Sequence, residues 1–505
     1  MYTEELWQAF YEKILKHKKP KTYKHFDDMF DFVKSNNKIK DLVSDPSLKS
    51  VATYSFAPLV KILTKTPRFK YNETQDTNDL ETKIRPISFA SHFDSYIYSF
   101  YSFALTEQYQ VYIKDNRFDD CILAYRSDLN GDCNIQFAKK AFNTVNDLVK
   151  SHGKCTAIAL DIKGYFDNID HTILKEKWCK ILGLEELPID QYKIYRSQTN
   201  YSYVNKVSLL QHFNIRKSKP DRKKNLLDLI PGDINGNSYH QKFDLLRKRD
   251  LVIRNKPKKE KDGTLSFKGI PQGSPLSSVL SNIYLIDFDR WLNNLGSVMG
   301  FKYYRYCDDL LIICQSKDRS YLLKEIIDGI KNTYRLTIQA KKSEIIEFRP
   351  NSKDEIRAFD VKHPAPRKTT VSDEQKYYKN LQYLGFEFNG KSTYVRSSSL
   401  SRYFRKAKGR ILKTMMMAYG QKSKSDKIYR KQLYEKYSHF GKRNFITYVQ
   451  NAAKKEYTNA EGIIRQGLDS KAIRRQLSSH FGFLQKEMTI SSRQFAKSKK
   501  TTTKQ

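Results

Sequence analysis

Tyr304-Arg305-Tyr306-Cys307-Asp308-Asp309-Leu310-Leu311-Ile312-Ile313 sets two adjacent carboxylates between aromatic residues on one side and aliphatic ones on the other. The pattern predicts a β-hairpin whose tight turn carries Asp308 and Asp309, followed by a buried strand over Leu310–Ile313. Neighbouring aspartates repel each other, and packing of the flanking strands strips water from both. A divalent cation against the pair relieves that cost. An ordinary surface turn also accommodates Asp-Asp, so this stretch takes its meaning from what surrounds it.

Working outward, residues 155–162 (CTAIALDI) form an apolar run ending in a carboxylate, the pattern of a strand buried on both faces. Asp161 there needs a metal or a cation, because burying a lone carboxylate is costly. Residues 164–174 (GYFDNIDHTIL) break the strand and start a helix with Asn168 or Asp170 as N-cap. Capping and turn chemistry account for Asp167 and Asp170. One carboxylate ending a strand and an Asp-Asp hairpin about 150 residues later can meet on neighbouring strands of one sheet. Three carboxylates so placed can hold two Mg²⁺ ions about 3.5–4 Å apart, the clamp for an in-line phosphoryl displacement.

Three more stretches belong to the same argument. Residues 83–88 (KIRPIS) predict a cationic strand with Lys83 and Arg85 on one face, able to hold a triphosphate; an exposed edge strand has the same pattern. Residues 269–282 (GIPQGSPLSSVLSN) predict a rigid Gly/Pro turn, whose backbone can approach a substrate, running into a helix at Ser277 and Ser278. An ordinary loop-to-helix junction has that form too. After the hairpin come a helix, a strand LTIQ (336–339) and the polar AKKSEIIEF, which place Lys342 beside the sheet. The succession fits a ferredoxin-like arrangement. Residues 382–388 (QYLGFEF) alternate like a hairpin strand around Gly385.

Bulk properties narrow the class. At 505 residues, two to four subdomains are expected, and the 39% apolar content suffices for a large interior. No apolar run approaches the ~18 residues of a membrane span. The opening residues MYTEELWQAF are acidic and amphipathic, unlike a signal peptide. Six cysteines without CxxC pairs argue against a zinc knuckle or disulfide framework and fit a reduced, cytoplasmic setting. Lys and Arg number 92 against 55 Asp and Glu, a net charge of +37 spread along the chain, which favours a nucleic-acid partner. No Ser-His-Asp or Cys-His arrangement competes with the carboxylates.

In order and spacing, LDIKGYFDNIDH, GIPQGSPLSSVLSN, YRYCDDLLII, AKKSEI and QYLGFEF resemble the successive palm motifs of prokaryotic reverse transcriptases, the retron and group II intron-like lineage. KIRPI is similar to their fingers motif, and the likeness covers roughly residues 80–390. The resemblance implies an α+β right-hand polymerase with fingers and a ferredoxin-like palm, followed by an all-α, basic, thumb-like C-terminal region. The corresponding divisions are an N-terminal helical region (1–75), fingers (76–155), palm (156–390) with a mostly helical insertion at about 185–262, thumb-like helices (391–490) and a disordered basic tail (491–505). Composition also assigns a mobile loop at DLIPGDINGNSYH, a basic hairpin around KPKKEKDG and a linker over 350–378.

By position, the resemblance makes Asp161, Asp308 and Asp309 metal ligands, joined by the carbonyl of Ile162, with Mg²⁺ or Mn²⁺ as the ion. Phe166 stands where the family keeps a steric gate against the ribose 2′-OH, and Tyr165 would line the same pocket. Gln272 and Gly273 would meet the incoming nucleotide and template, and Lys83 and Arg85 the triphosphate. Lys342 matches the lysine that protonates pyrophosphate, and Leu384-Gly385 the primer grip. Cys307 departs from the alanine of most relatives. Residues 433–452 (LYEKYSHFGKRNFITYVQNA) resemble the C-terminal helices of abortive-infection and defence-associated reverse transcriptases. That implies RNA-directed or untemplated DNA synthesis against phage, with an RNA template or noncoding RNA, dNTPs and a DNA product. A homo-oligomer, protein priming and no membrane association are part of the same expectation. A retron-type enzyme making a short DNA from its own RNA, and a non-catalytic RNA-binding scaffold, are the alternatives.

Overall fold

The computed structural model describes residues 2–17, 21–72, 77–215, 225–226, 228, 239–260, 263–363, 371–420 and 428–502. Short helices (Glu4–His17, Phe32–Ser35, Asn37–Val43, Lys49–Thr53) open the chain. Their aromatic residues close on the long helix His92–Asp115, with the rings of Trp7 and Phe10 5.9 and 5.5 Å from that of Phe100. Residues 59–72 depart from the expected all-helical start. β1 (Leu59–Asn72) pairs antiparallel with β2 (Thr77–Phe89) from Val60 opposite Phe89 to Asn72 opposite Thr77. Its alternation of Lys and Thr with Ile and Leu favours a strand over a helix.

β3 (Cys155–Asp161) follows the helix Asn134–His152. Within the expected insertion, β4 (Ser202–Asn205) runs parallel to β1 and β5 (Val252–Arg254) pairs with β4, giving a sheet of order β2-β1-β4-β5. The insertion therefore extends the β1–β2 hairpin instead of forming a separate helical body, although it also carries helices Ile189–Thr199, Lys206–His212 and Tyr239–Lys248. The DLIPGDINGNSYH loop lies almost wholly outside the described residues. β6 (Lys258–Lys259) and β7 (Leu265–Ser266) make the expected basic hairpin.

β8 (Lys302–Tyr306), β9 (Asp309–Cys314), β10 (Glu344–Pro350) and β11 (Ile356–Asp360) complete a second sheet of order β11-β10-β3-β9-β8. Leaving out β11, this is the order of a split βαβ sheet, fourth-first-third-second. LTIQ is no strand: only Ile338 bridges, to Ile162, and the fourth strand is formed by Glu344–Pro350. The polar AKKSEIIEF was hard to recognise as sheet because charges alternate with Ile345, Ile346 and Phe348. β11 likewise falls inside the expected linker, where Ala358 and Phe359 are buried beside β10.

The continuous apolar run of β3 is explained by cores on both faces. Cys155 and Ala157 join Phe137, Phe142, Leu311 and Phe348 in one. Ile158 and Leu160 join Leu280, Ile283, Leu310 and Ile312 in the other. Beyond this sheet lie β12 (Leu381–Tyr383), β13 (Phe386–Phe388) and β14 (Thr393–Val395), a meander whose first turn is Leu384-Gly385.

The C-terminal region is not all-α. β15 (Glu456–Thr458) and β16 (Ile464–Gln466) form a hairpin among helices Ser397–Tyr419, Phe445–Ala453 and Lys471–Leu477. The tail expected to be disordered from 491 is helical to Thr502, as part of His480–Thr502. Leu484 and Met488 on that helix are buried in the core shared with Ile411 and Met415, which anchors it. Among the described residues, no helix is long and apolar enough to cross a membrane.

Candidate active site

The pairing of β3 with β9 fixes the geometry of the aspartates. Leu160 lies opposite Leu310 and Asp161 opposite Asp309. Directly opposed residues hold their Cβ atoms about 4.5–5.5 Å apart, and like charges there destabilise the sheet. Tyr306 and Asp309 pair across the hairpin, so its two-residue turn is Cys307-Asp308 and Asp309 opens β9 instead of lying in the turn. Cys307 has a φ of 58°, a left-handed conformation that costs a residue with a side chain roughly 1–2 kcal/mol. The Ile162 N–H donates to the Asp308 carbonyl at 3.1 Å, fastening the turn to the end of β3.

Arg305, fully buried, supports this turn from below. Its Nε donates to Asp289 Oδ1 at 2.7 Å, its Nη2 to the other oxygen, and its Nη1 to Asn282 Oδ1 at 3.1 Å and the Cys307 carbonyl at 3.4 Å. Tyr303 adds a hydroxyl bond of 2.8 Å to Asp289 Oδ1, and Asn282 donates to the Ala124 carbonyl at 2.9 Å. Burial pushes the Asp289 carboxyl up, while the two-pronged guanidinium contact holds it as an ion pair. The sequence reading missed this network. Its signal was a charged residue inside each of two otherwise apolar runs, YRY and LIDF.

Lys342 Nζ lies 2.9 Å from Asp161 Oδ2. The backbone puts it there: Gln339 N–H donates to the Asp161 carbonyl and Lys163 N–H to the Thr337 carbonyl, each at 2.8 Å. These bonds flank Ile162 and leave its carbonyl out of the ladder. Water loss, then the charges of Asp308 and Asp161, pushes the Asp309 carboxyl up to about 7. The side chain keeps an edge open to solvent at the mouth of the site, and Lys342 and Arg396 only partly offset the rise. Burial followed by the Asp161 charge also raises Asp308. The thiol of Cys307 is turned inward and pushed up to about 12, by burial and then by Asp308.

A cavity of about 550 Å³ opens against these groups, walled by Lys83, Arg85, Phe166, Gln272, Asp161 and Asp308 with Lys342 beside them. Lys83 and Arg85 stand two apart on β2, as the alternation required. Tyr165 touches the wall, but its ring is buried and its hydroxyl donates to the Ser281 carbonyl at 2.5 Å. Asp309 and Gly273 lie outside the wall. Gly273, at φ 112°, is a joint: an added Cβ would come within 2.9 Å of both Ile87 Cγ2 and the Ser88 carbonyl. Beside it the Ser88 N–H donates to the Gln272 carbonyl at 2.8 Å. Tyr125 also lines the cavity, next to Cys307, and was not singled out from the CILAYR stretch that carries it. Among the described residues, no three acidic, thiol or imidazole side chains converge on one point as they stand; Asp161 is turned to Lys342.

Residues 236–388 match the family model described as reverse transcriptase (RNA-dependent DNA polymerase). That segment is similar to a reverse transcriptase domain. The mixed helix-and-sheet architecture of the chain fits a right-hand polymerase. The matched segment contains Gln272, Gly273, Asp308, Asp309 and Lys342 but begins after Asp161, which β3 brings to it. Enzymes of this family generally use divalent metals such as Mg²⁺.

Among solved structures, the chain is similar to telomerase from Candida tropicalis in complex with a TWJ fragment of telomeric RNA (14% identity, TM-score 0.35, 78% of this chain and 56% of that one). It is also similar to apo telomerase of that organism truncated from its C-terminal domain (11%, 0.33, 71% and 60%). Telomerase from Candida albicans with a TWJ fragment gives 13%, 0.33, 81% and 55%. The chain thus spans less than two thirds of the length of these telomerase chains. No curated protein matches it.

Proposed function

We propose that the chain is an RNA-directed DNA polymerase of the prokaryotic, retron-like lineage that acts in defence against phage. The observation that carries the reading is the register of Asp161 against Asp309, with Asp308 in the adjoining turn, facing a cavity whose far wall bears Lys83 and Arg85. In this reading the β3–β9 sheet is the palm, the β1–β2 sheet the fingers and the helices from Ser397 the thumb. The likeness of residues 433–452 to defence-associated enzymes supports the biological role.

The donor set fits magnesium: carboxylates and the Ile162 carbonyl are hard oxygen ligands, and the nearby Cys307 thiol is buried and held protonated. Asp161, Asp308, Asp309 and Ile162 would hold the ions. When bound, magnesium lowers the pKa of the attacking hydroxyl and offsets charge on the leaving pyrophosphate. Lys83 and Arg85 bind the triphosphate, Phe166 excludes a ribose 2′-OH, and Gln272 lines the nucleotide pocket. Lys342 Nζ carries the proton for pyrophosphate.

The test is incorporation of labelled dNTPs on an RNA template with a DNA primer, with Mg²⁺ or with EDTA, followed by sequencing of the product. Product complementary to the template, lost with EDTA and in Asp308→Ala/Asp309→Ala, is expected. Incorporation that survives the double substitution would refute the assignment. Protection of cells against phage, lost in the same variant, tests the defence role.

A further inference from the structure

A recess of about 1010 Å³ lies outside the polymerase cavity, between residues 52–59, the helix Ile189–Thr199 and the β4–β5 edge. Five of its lining residues are Lys or Arg and none is Asp or Glu, although the whole chain has 55 acids to 92 bases. Arg247 is paired with Asp244 at 2.7 Å. Among the described residues, no carboxylate pairs with Lys193, Arg196, Arg254 or Lys256 in the ion pairs of the structure.

Aromatic rings alternate with these cations, and several are open. Phe267 is 51% and Tyr192 41% exposed, an apolar surface that folding alone would cover. The back wall is braced: Tyr54 hydroxyl and Ala57 N–H donate to the buried Asp94 carboxylate at 2.7 and 2.9 Å, and the Phe56 and Tyr98 rings stack 4.8 Å apart. The Asp94 carboxylate is therefore engaged behind the wall and does not oppose an anion in front of it. The recess is tied through the backbone to the segment that reaches the polymerase cavity. Asn255, in its wall, donates to the Thr199 and Gly269 carbonyls at 2.9 and 3.3 Å, and Gly269 leads directly to Gln272.

We propose that this recess binds a segment of single-stranded RNA, its bases stacked on Tyr192, Tyr201 and Phe267 and its phosphates held by Arg196, Arg254 and Lys256. Open rings interleaved with unopposed cations match what a single strand offers, flat bases at regular intervals between negative charges. An acidic peptide would need the cations but not the rings. The volume, at the upper end of the roughly 300–1,000 Å³ of a small-molecule site, leaves room for more than one nucleotide. The choice of RNA over DNA rests on the polymerase reading; the recess itself does not.

The experiment measures binding of a fluorescein-labelled 15-nucleotide RNA without secondary structure to the full chain, across a salt series. Arg254→Glu/Lys256→Glu alters two exposed side chains and should weaken binding at least tenfold. It should also reduce the salt slope by about 1.4, the loss of two phosphate contacts on a single strand. Tyr192→Ala/Phe267→Ala should weaken binding with the slope unchanged, as loss of stacking does. Unchanged affinity and slope in the charge variant would overturn the proposal. So would displacement of the RNA by ATP at an equal concentration of nucleotide units, which would make this a free-nucleotide site. A charge variant that binds normally, while the unaltered chain still polymerises dNTPs, refutes the recess and leaves the polymerase reading standing.

Discussion

Two sets of carboxylates lie within one hairpin's reach and are treated in opposite ways. Asp289 is buried completely, yet both its oxygens are engaged by Arg305 and one also by Tyr303. Asp161, Asp308 and Asp309 are less buried but share one lysine, and two of the three are pushed up in pKa. The chain thus supplies a dedicated guanidinium where an acid supports the structure. Where Asp161 and Asp308 face a cavity, with Asp309 beside them, it leaves negative charge unbalanced. An excess of carboxylate at the ends of two neighbouring strands opposes folding, so its retention points to a cationic ligand from outside.

The comparison breaks most visibly in activity. Asp308→Asn or Asp309→Asn should lower dNTP incorporation by about 10³-fold or more, the several kcal/mol of charge stabilisation that metal ligation supplies. Their thermal stability should equal or exceed that of the unaltered chain, because each removes repulsion; a large fall in melting temperature would contradict the contrast. Arg305→Ala should do the reverse, leaving Asp289 buried without its partner at a cost of about 3–5 kcal/mol in a denaturant titration. Phe166→Ala sharpens the reading of the cavity. Discrimination between dNTP and rNTP should fall by roughly 10–100-fold in kcat/KM ratios, with the melting temperature little changed.

The smallest effect is in pH. Asp309 titrates near about 7 in the fold and about 3.9 when unfolded, so the folded state binds the extra proton between those values. Without metal, the melting temperature should therefore fall as pH rises from about 4 to about 7 and level off above. The Asp309→Asn variant should show a shallower fall, and magnesium should raise the melting temperature more at pH 8 than at pH 6. A wild-type profile identical to that of Asp309→Asn would remove Asp309 from the unbalanced group.

Much of this centre was legible because it is local. The strand ending at Asp161, the Asp-Asp hairpin and the Gly/Pro turn each declare themselves within about ten residues, by run length and by turn chemistry. What escaped was set by tertiary pairing. β10 and β11 carry too many charges to look like sheet, and their burial comes from β3 and from each other. β4 and β5, three or four residues long, gain strand character only by adding to β1. The Arg305–Asp289 pair joins residues 16 apart in sequence whose meeting no periodicity announces. The terminal helix looked like a solvated basic tail because its apolar positions, Leu484 and Met488, precede the lysine run.

The bond from Ser88 N–H to the Gln272 carbonyl, with Gly273 pressed against Ile87, has a mechanical consequence. It pins one end of β2 to the Gly/Pro turn, while Lys83 and Arg85 sit farther along the same strand. Arg85 and Lys83 lie three and five residues from Ser88 on this strand, which is paired along its length with β1. The two cations and residue 272 thus belong to one hydrogen-bonded unit, so their spacing is set by the fold before anything enters the cavity.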